Sequence, residues 1–256
     1  MLLPYQHIAI EGPIGVGKTS LALRLAKHYQ TATLLEDASA VEFLPAFYSD
    51  QPNSALPTQL AFLFQRVQKI KQLLEGDQAQ QVPARAQTVV ADFMLEKEQL
   101  FAKTCLDKAS LILYKQCYNN AIESLQNTID RVINKTSLAA STQAGQIAPA
   151  SSAARTASFP VSPDLVIYLQ ADTETLLKRV RIRGSIDELR ISEEYLNAIN
   201  NTYAEFFHSY TSAPLLIVNA DSVDLAHSEK DFDHLVKRLL QPIKGTNYFN
   251  PMSLSA

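Results

Sequence analysis

Ten residues near the start of the chain have the types and spacing to hold a phosphate chain: Glu11-Gly12-Pro13-Ile14-Gly15-Val16-Gly17-Lys18-Thr19-Ser20. They fit G-x-x-x-x-G-K-[ST], with Gly12 and Gly17 as the spaced glycines and the apolar run Ile8-Ala9-Ile10 just before them. Phosphate must come close to the backbone, so the turn needs residues without side chains that can reach positive φ. Backbone N–H groups from Gly12, Ile14, Gly15, Val16 and Gly17 to Ser20 would form an anion nest, with Pro13 shaping the turn between them. A helix opening near Lys18 would add its N-terminal dipole. Lys18 would supply the point charge for the β- and γ-phosphates, and the Thr19 hydroxyl is placed to hold Mg²⁺. Three of only seven glycines fall within these six residues, Gly12 to Gly17, which sets the stretch apart from an ordinary strand-to-helix turn. The motif implies a nucleoside triphosphate site, with ATP and Mg²⁺ as the expected occupants.

Carboxylates make the second group. Glu36-Asp37 closes an apolar run beginning at Ala32, and Asp92 follows Val89-Val90-Ala91. Phosphoryl transfer to a hydroxyl needs a base near the nucleophile and carboxylates for Mg²⁺, and acidic strand ends beside a phosphate loop can supply both. Each also has a plain alternative as the cap of the helix that follows it. The third group is basic: Lys178-Arg179-Val180-Arg181-Ile182-Arg183-Gly184. Arg179 and Arg183 stand four apart, so they share a helical face and could clamp a phosphoryl group. Gly184 would end that helix. Standing alone, the stretch reads equally as a solvated basic face favoured by the helix dipole.

These residues need a frame that brings strand ends together. Short apolar runs at 6–11, 32–36, 88–91, 164–169 and 215–218 alternate with helical patterns at 18–29, 41–48, 57–74, 95–133, 173–183, 192–210 and 229–240. The expected fold is α/β, a five-stranded parallel sheet flanked by helices on both faces, with an arginine-bearing lid over residues 179–191. Ligands in such sheets sit at the carboxyl ends of the strands, where Gly12, Glu36 and Asp92 would lie. Residues 134–163 break the alternation with Ser, Ala, Thr and Gln and hardly a large apolar side chain, and are expected to form a disordered insertion in an otherwise single domain spanning 1–256.

The formal net charge of -3 gives no reason to expect nucleic acid or an anionic membrane as the main partner. Cys105 and Cys117 read as reduced, mostly buried thiols. The first strand begins too early for a signal peptide, and no stretch approaches the roughly 20 apolar residues of a membrane span. A cytoplasmic protein is expected.

Taken together, the phosphate loop, Glu36, the Gln59–Arg66 helix, Asp92 and the Arg-x-x-x-Arg-Gly lid resemble the deoxynucleoside kinase family, over the whole chain except residues 134–163 and the last dozen. Val89-Val90-Ala91-Asp92-Phe93 and Ser228-Glu229-Lys230-Asp231-Phe232 resemble its bacterial branch acting on deoxyadenosine and deoxyguanosine. The resemblance implies a P-loop kinase fold and phosphorylation of a deoxynucleoside 5′-hydroxyl. It further implies that Glu36 takes the proton, that Tyr48 and Glu188 hold the sugar 3′-hydroxyl, and that Gln59 bonds the base edge. Arg66 would line the same pocket, seven residues on from Gln59 along one helical face. Phe101 would stack on the base. Arg179 and Arg183 would be the lid arginines, and Lys230, Asp231 and Phe232 would flank the donor adenine. Asp92 would face both substrate and Mg²⁺ with Thr19. A homodimer through helices such as 57–74 is implied as well.

Two positions depart from the family pattern. Phe93 stands where many relatives carry an arginine, and Ser185 where the lid is often basic. Rival readings are a nucleoside monophosphate kinase similar to thymidylate kinase, and a catalytically silent nucleotide-binding subunit. Phe93 and the Glu36–Tyr48 pairing argue against the first; retention of Lys18, Thr19 and Glu36 argues against the second.

Overall fold

Ile8, Ala9 and Ile10 expose no surface, and the strand they form, β1 (His7–Glu11), is buried along its whole length. A strand without alternation must be covered on both faces, as in a parallel sheet between helices. The computed structural model describes residues 3–76, 88–142 and 162–250 and has this architecture. After β1 come α1 (Lys18–Tyr29), β2 (Ala32–Leu34), α2 (Leu44–Tyr48), α3 (Ala55–Glu75), β3 (Val89–Ala91), α4 (Glu98–Cys105) and α5 (Lys108–Thr142). Then follow β4 (Leu165–Gln170), α6 (Thr173–Arg183), α7 (Glu193–His208), β5 (Leu215–Asn219), α8 (Glu229–Leu239) and β6 (Thr246–Phe249). Single turns of 3-10 helix lie at Ala38–Ala40, Leu95–Lys97 and Glu188–Arg190.

The sheet runs β2-β3-β1-β4-β5-β6 with every pairing parallel. Strand β1 divides it: the strands of the first half of the chain lie on one side and those of the second half on the other. The loop leaving β1 therefore emerges where the connections part, the position at which such sheets bind ligands. Apolar side chains fix the covering helices. Leu21 and Leu25 of α1 and Leu235 and Leu239 of α8 join one cluster with β1, β4 and β5. Leu63, Val67 and Ile70 of α3 pack with Tyr114 and Leu125 of α5 against β2 and β3. Tyr203 and Phe207 of α7 cover β4, with the Phe207 ring 4.3 Å from that of Tyr168.

Three expectations change. The sheet has six strands, not five, because Thr246–Phe249 adds an edge strand beside β5. That strand turns only Phe249 into the core while Tyr248 stays 76% exposed, so a four-residue edge carries no apolar run to read. Residues 134–142, expected to begin a disordered insertion, continue helix α5; residues 143–161 of that segment lie outside the described ones. Cys105 and Cys117 are free and only half-buried. Among the described residues, no helix is long and apolar enough to cross a membrane.

Candidate active site

The chain folds the loop after β1 as its glycines require. Gly12 adopts φ 146°, and a Cβ there would collide with the Leu169 carbonyl of β4. Gly15 brings the loop onto α6, where a Cβ would stand 2.8 Å from the Val180 side chain. Helix α1 starts at Lys18, with Gly17 before it in the left-handed region. Lys18 Nζ donates to the Gly12 and Pro13 carbonyls at 2.8 and 3.1 Å, contacts that a bound phosphate would replace. Burial, and after it the neighbouring Lys97 charge, bring the Lys18 ammonium down to about 8 against the pull of Glu11, Glu36 and Asp92.

Asp92, 2% exposed at the end of β3, ties the strand ends together. Its Oδ2 accepts from the Thr19 hydroxyl at 2.5 Å and its Oδ1 from the Glu36 backbone N–H at 2.7 Å. Both oxygens thus serve the site rather than a helix cap. The adjoining carboxylates separate in the same way. Asp37 caps the turn at Ala38–Ala40, accepting from the Ser39 N–H at 3.1 Å and its hydroxyl at 2.6 Å. Glu36 turns into a cavity whose wall also includes Lys18 and Thr19.

Helix α3 supplies the partner of Glu36. Its Arg66, 5% exposed, forms an ion pair with Glu36 Oε1 and lies over the Phe62 ring at 5.1 Å and the Phe93 ring at 5.7 Å. Burial would raise the Glu36 carboxyl, but Arg66, Lys97 and Lys18 overcome it and hold the group down at about 2. Gln59, one face and two turns earlier on α3, lines the same cavity, as does Phe101 of α4. Tyr48 of α2 and Glu188 of the turn after α6 line it as well. Burial, followed by the Glu188 and Glu36 charges, pushes the Tyr48 phenol well up, so it stays a hydrogen-bond donor.

The lid residues divide. Arg183, at the end of α6, forms an ion pair with Glu188 and lines the cavity; Gly184 ends the helix in the left-handed region as expected. Arg179 does not line the cavity: its guanidinium donates to the Val16 carbonyl of the phosphate loop at 3.3 Å and the Ala220 carbonyl at 2.7 Å. Arg190 donates to the Ser49 hydroxyl at 2.8 Å, so the turn after α6 rests on the end of α2. The expected donor-base residues also divide. Lys230 is exposed in the first turn of α8, and Asp231 accepts from the Asp224 N–H at 3.0 Å. Phe232 is buried, its ring covered by the Arg24 guanidinium at 4.2 Å rather than presented to a ligand.

Phe62, Lys97, Tyr195 and Tyr203 also line the cavity, and no motif or spacing in the sequence singles them out. Tyr195 packs its ring against Phe47 at 5.6 Å, edge-on, and thereby supports Tyr48.

Comparison with known proteins meets this geometry. The Deoxynucleoside kinase family matches residues 8–138 and 147–244. The chain belongs to the deoxynucleoside kinase family. The match skips only 139–146 within the chain, so it enters the 134–163 segment that was expected to lie outside the resemblance. Similar proteins include a deoxyadenosine/deoxycytidine kinase of Bacillus subtilis, 26% identical over 238 residues and covering 92% of each chain. A deoxyguanosine kinase of the same organism is 25% identical, over 92% of this chain and 97% of its own. A deoxyadenosine kinase of Dictyostelium discoideum is 27% identical over 96% of this chain and 83% of its own. The fold matches that of a solved deoxyadenosine kinase from M. mycoides with bound dCTP, at TM-score 0.65 and 21% identity over 91% of this chain and 98% of the other. As a member of the family the protein is a phosphotransferase that converts a nucleoside to its monophosphate.

Proposed function

We propose that this kinase transfers the γ-phosphoryl group of ATP to the 5′-hydroxyl of a purine deoxynucleoside. The observation that carries the reading is Glu36: its carboxylate, fixed by Arg66, faces the same cavity as Lys18 and Thr19. The loop amides and Lys18 bind the donor phosphates. Glu36 orients the 5′-hydroxyl and receives its proton. Tyr48 and Glu188 hold the 3′-hydroxyl, Gln59 bonds the base edge and Phe101 packs against the base plane. Gln59 offers both a donor and an acceptor, which suits purines of either kind. Arg183 meets charge spreading over the transferring group, as a guanidinium fork does well. The Thr19 hydroxyl and Asp92 carboxylate form a pair of hard oxygen ligands that fits Mg²⁺ and would hold it. Bound there, the ion would neutralise donor phosphate charge.

Names of the relatives support a purine deoxynucleoside as acceptor, since deoxyadenosine and deoxyguanosine recur among them. A homodimer through α3 and α5 is also proposed, supported by the exposed apolar side chains Phe64 of α3 and Ile112 and Leu113 of α5. Light scattering giving the mass of one chain would contradict it. ADP release measured with ATP and each of four deoxynucleosides, with dAMP alongside, tests the function. Faster turnover of deoxyadenosine or deoxyguanosine is expected. Preference for dAMP would make the protein a monophosphate kinase, and no turnover with intact ATP binding would make it a silent subunit.

A further inference from the structure

Lys97 on the cavity wall belongs to a buried ion pair that donor loop, sugar contacts and lid leave unexplained. Lys97, 2% exposed, places Nζ 3.3 Å from Oε1 of Glu11, which is wholly buried at the end of β1. The same Glu11 Oε1 accepts from the Met94 N–H at 2.7 Å, and Oε2 accepts from the Tyr203 hydroxyl at 3.0 Å. The Met94 N–H and the Tyr203 hydroxyl therefore fix one carboxylate, and the carboxylate fixes one ammonium whose side chain lines the cavity beside Lys18, Glu36 and Asp92. Stability does not account for this arrangement. Desolvation of two charges offsets much of their attraction, and an apolar pair of equal volume would suit such a core at least as well.

The cations of the cavity have different employment. Arg66 is committed to Glu36 and Arg183 to Glu188, while Lys18 belongs to the donor loop. Lys97 alone among these is paired with a carboxylate that takes no part in substrate binding. We propose that Lys97, seated on Glu11, is a positioning residue for phosphoryl transfer: its fixed positive charge holds the Glu36 carboxylate toward the phosphate loop. Its field reaches both reacting ends. After Arg66, Lys97 is the next cation holding the Glu36 carboxyl down, and after burial it is the first cause of the lowered Lys18 ammonium. Turning over substrate requires Glu36 and the donor phosphates, two sets of negative charge, to approach each other. A buried cation between strand ends lowers that repulsion without moving.

The inference rests on the reading of Glu36 as the group that faces the acceptor hydroxyl. Its test compares Lys97→Met, Lys97→Arg, the double variant Lys97→Met/Glu11→Gln and Glu36→Gln, in the full chain with deoxyadenosine and ATP. Lys97→Met alone leaves a buried carboxylate without its counter-charge and is expected to fold poorly. The double variant removes both charges and keeps an amide oxygen to accept from the Met94 N–H, while its NH2 can donate to the Tyr203 hydroxyl oxygen. It should melt within about 5 °C of the parent. Its kcat should fall about 10²-fold while the KM for nucleoside stays within about threefold. Lys97→Arg, which keeps the charge, should retain at least about a tenth of the parent kcat. Parent-like kcat in the double variant would reduce Lys97 to a counter-ion of Glu11 and overturn the inference. So would a loss confined to nucleoside KM, or an equal loss in Lys97→Arg and Lys97→Met. Glu36→Gln keeps the two claims apart: near-parent turnover there contradicts the reading of Glu36, whereas near-parent turnover in the Lys97 double variant contradicts the role of Lys97 alone.

Discussion

Glu36 is held at about 2, far below the range in which a carboxylate readily takes a proton from an alcohol. The chemistry tolerates this. In a loose phosphoryl-transfer transition state the attacking oxygen keeps its proton until late, so in the proposed role the carboxylate's first task would be to aim the hydroxyl. Arg66 sets that ionisation, and the sign of its removal follows. Without Arg66, burial acts on Glu36 against weaker opposition, and the carboxyl climbs back toward or past its ordinary 4.5. In Arg66→Met, kcat/KM for nucleoside should therefore acquire an acid limb near or above pH 4.5, where the parent plot is flat. A flat plot in the variant would remove Arg66 from the control of Glu36. The same depressed carboxyl favours the fold at pH above 4.5, a contribution that fades as pH falls to about 2. Lys18 works at the other end of the scale. Lowered to about 8 by burial, it begins to lose its charge just above neutrality in the free protein. The KM for ATP should rise about tenfold per pH unit beyond that point, since the neutral amine binds phosphate poorly. An ATP KM that is constant between pH 7.5 and 9.5 would contradict the placement of Lys18 against the donor phosphates.

Among the elements, the turn from β1 into α1 is the tightest. Gly12 lets the loop pass under the Leu169 carbonyl in a left-handed backbone, so Gly12→Ala must displace either the loop or β4. The variant should lose about 2 kcal/mol or more of stability in chemical denaturation and bind ATP weakly. Parent-like stability would mean that the loop moves freely against the sheet. This turn was plain in the sequence because its glycines, lysine and hydroxyl have chemistry that few other uses require. Gln59 and Arg66 were reached only through the family resemblance; their seven-residue spacing on one helix agrees with it, but alone it would have passed as ordinary helix packing. Lys97 was not reached at all: in Leu95-Glu96-Lys97-Glu98 nothing separates a buried lysine from a solvated one, and only the position of Glu11 beneath it decides the matter. Phe232, which the family resemblance places beside the donor adenine, is buried with its ring under the Arg24 guanidinium. Strand β6 escaped notice because it offers the core one side chain, Phe249, at the free edge of the sheet.

At the scale of the whole molecule, strand order does the assembling. Glu11, Glu36 and Asp92 come from separate parts of the chain and meet because β2, β3 and β1 are neighbours with all their carboxyl ends on one side. Alternating strands and helices announced that arrangement, while the order of strands could be reached only through the folded chain. The second half of the chain contributes Arg183 and Glu188 from beyond β4, closing the cavity from the other side of β1. On the proposed reading, donor and acceptor would meet across the middle strand, and every role proposed above depends on Glu36 facing the acceptor hydroxyl there. The most direct measurement is the kcat of Glu36→Gln with deoxyadenosine and ATP, together with nucleoside affinity by calorimetry. The expected result is a fall in kcat of about 10²-fold or more with affinity nearly unchanged. Turnover close to the parent's would contradict the central claim.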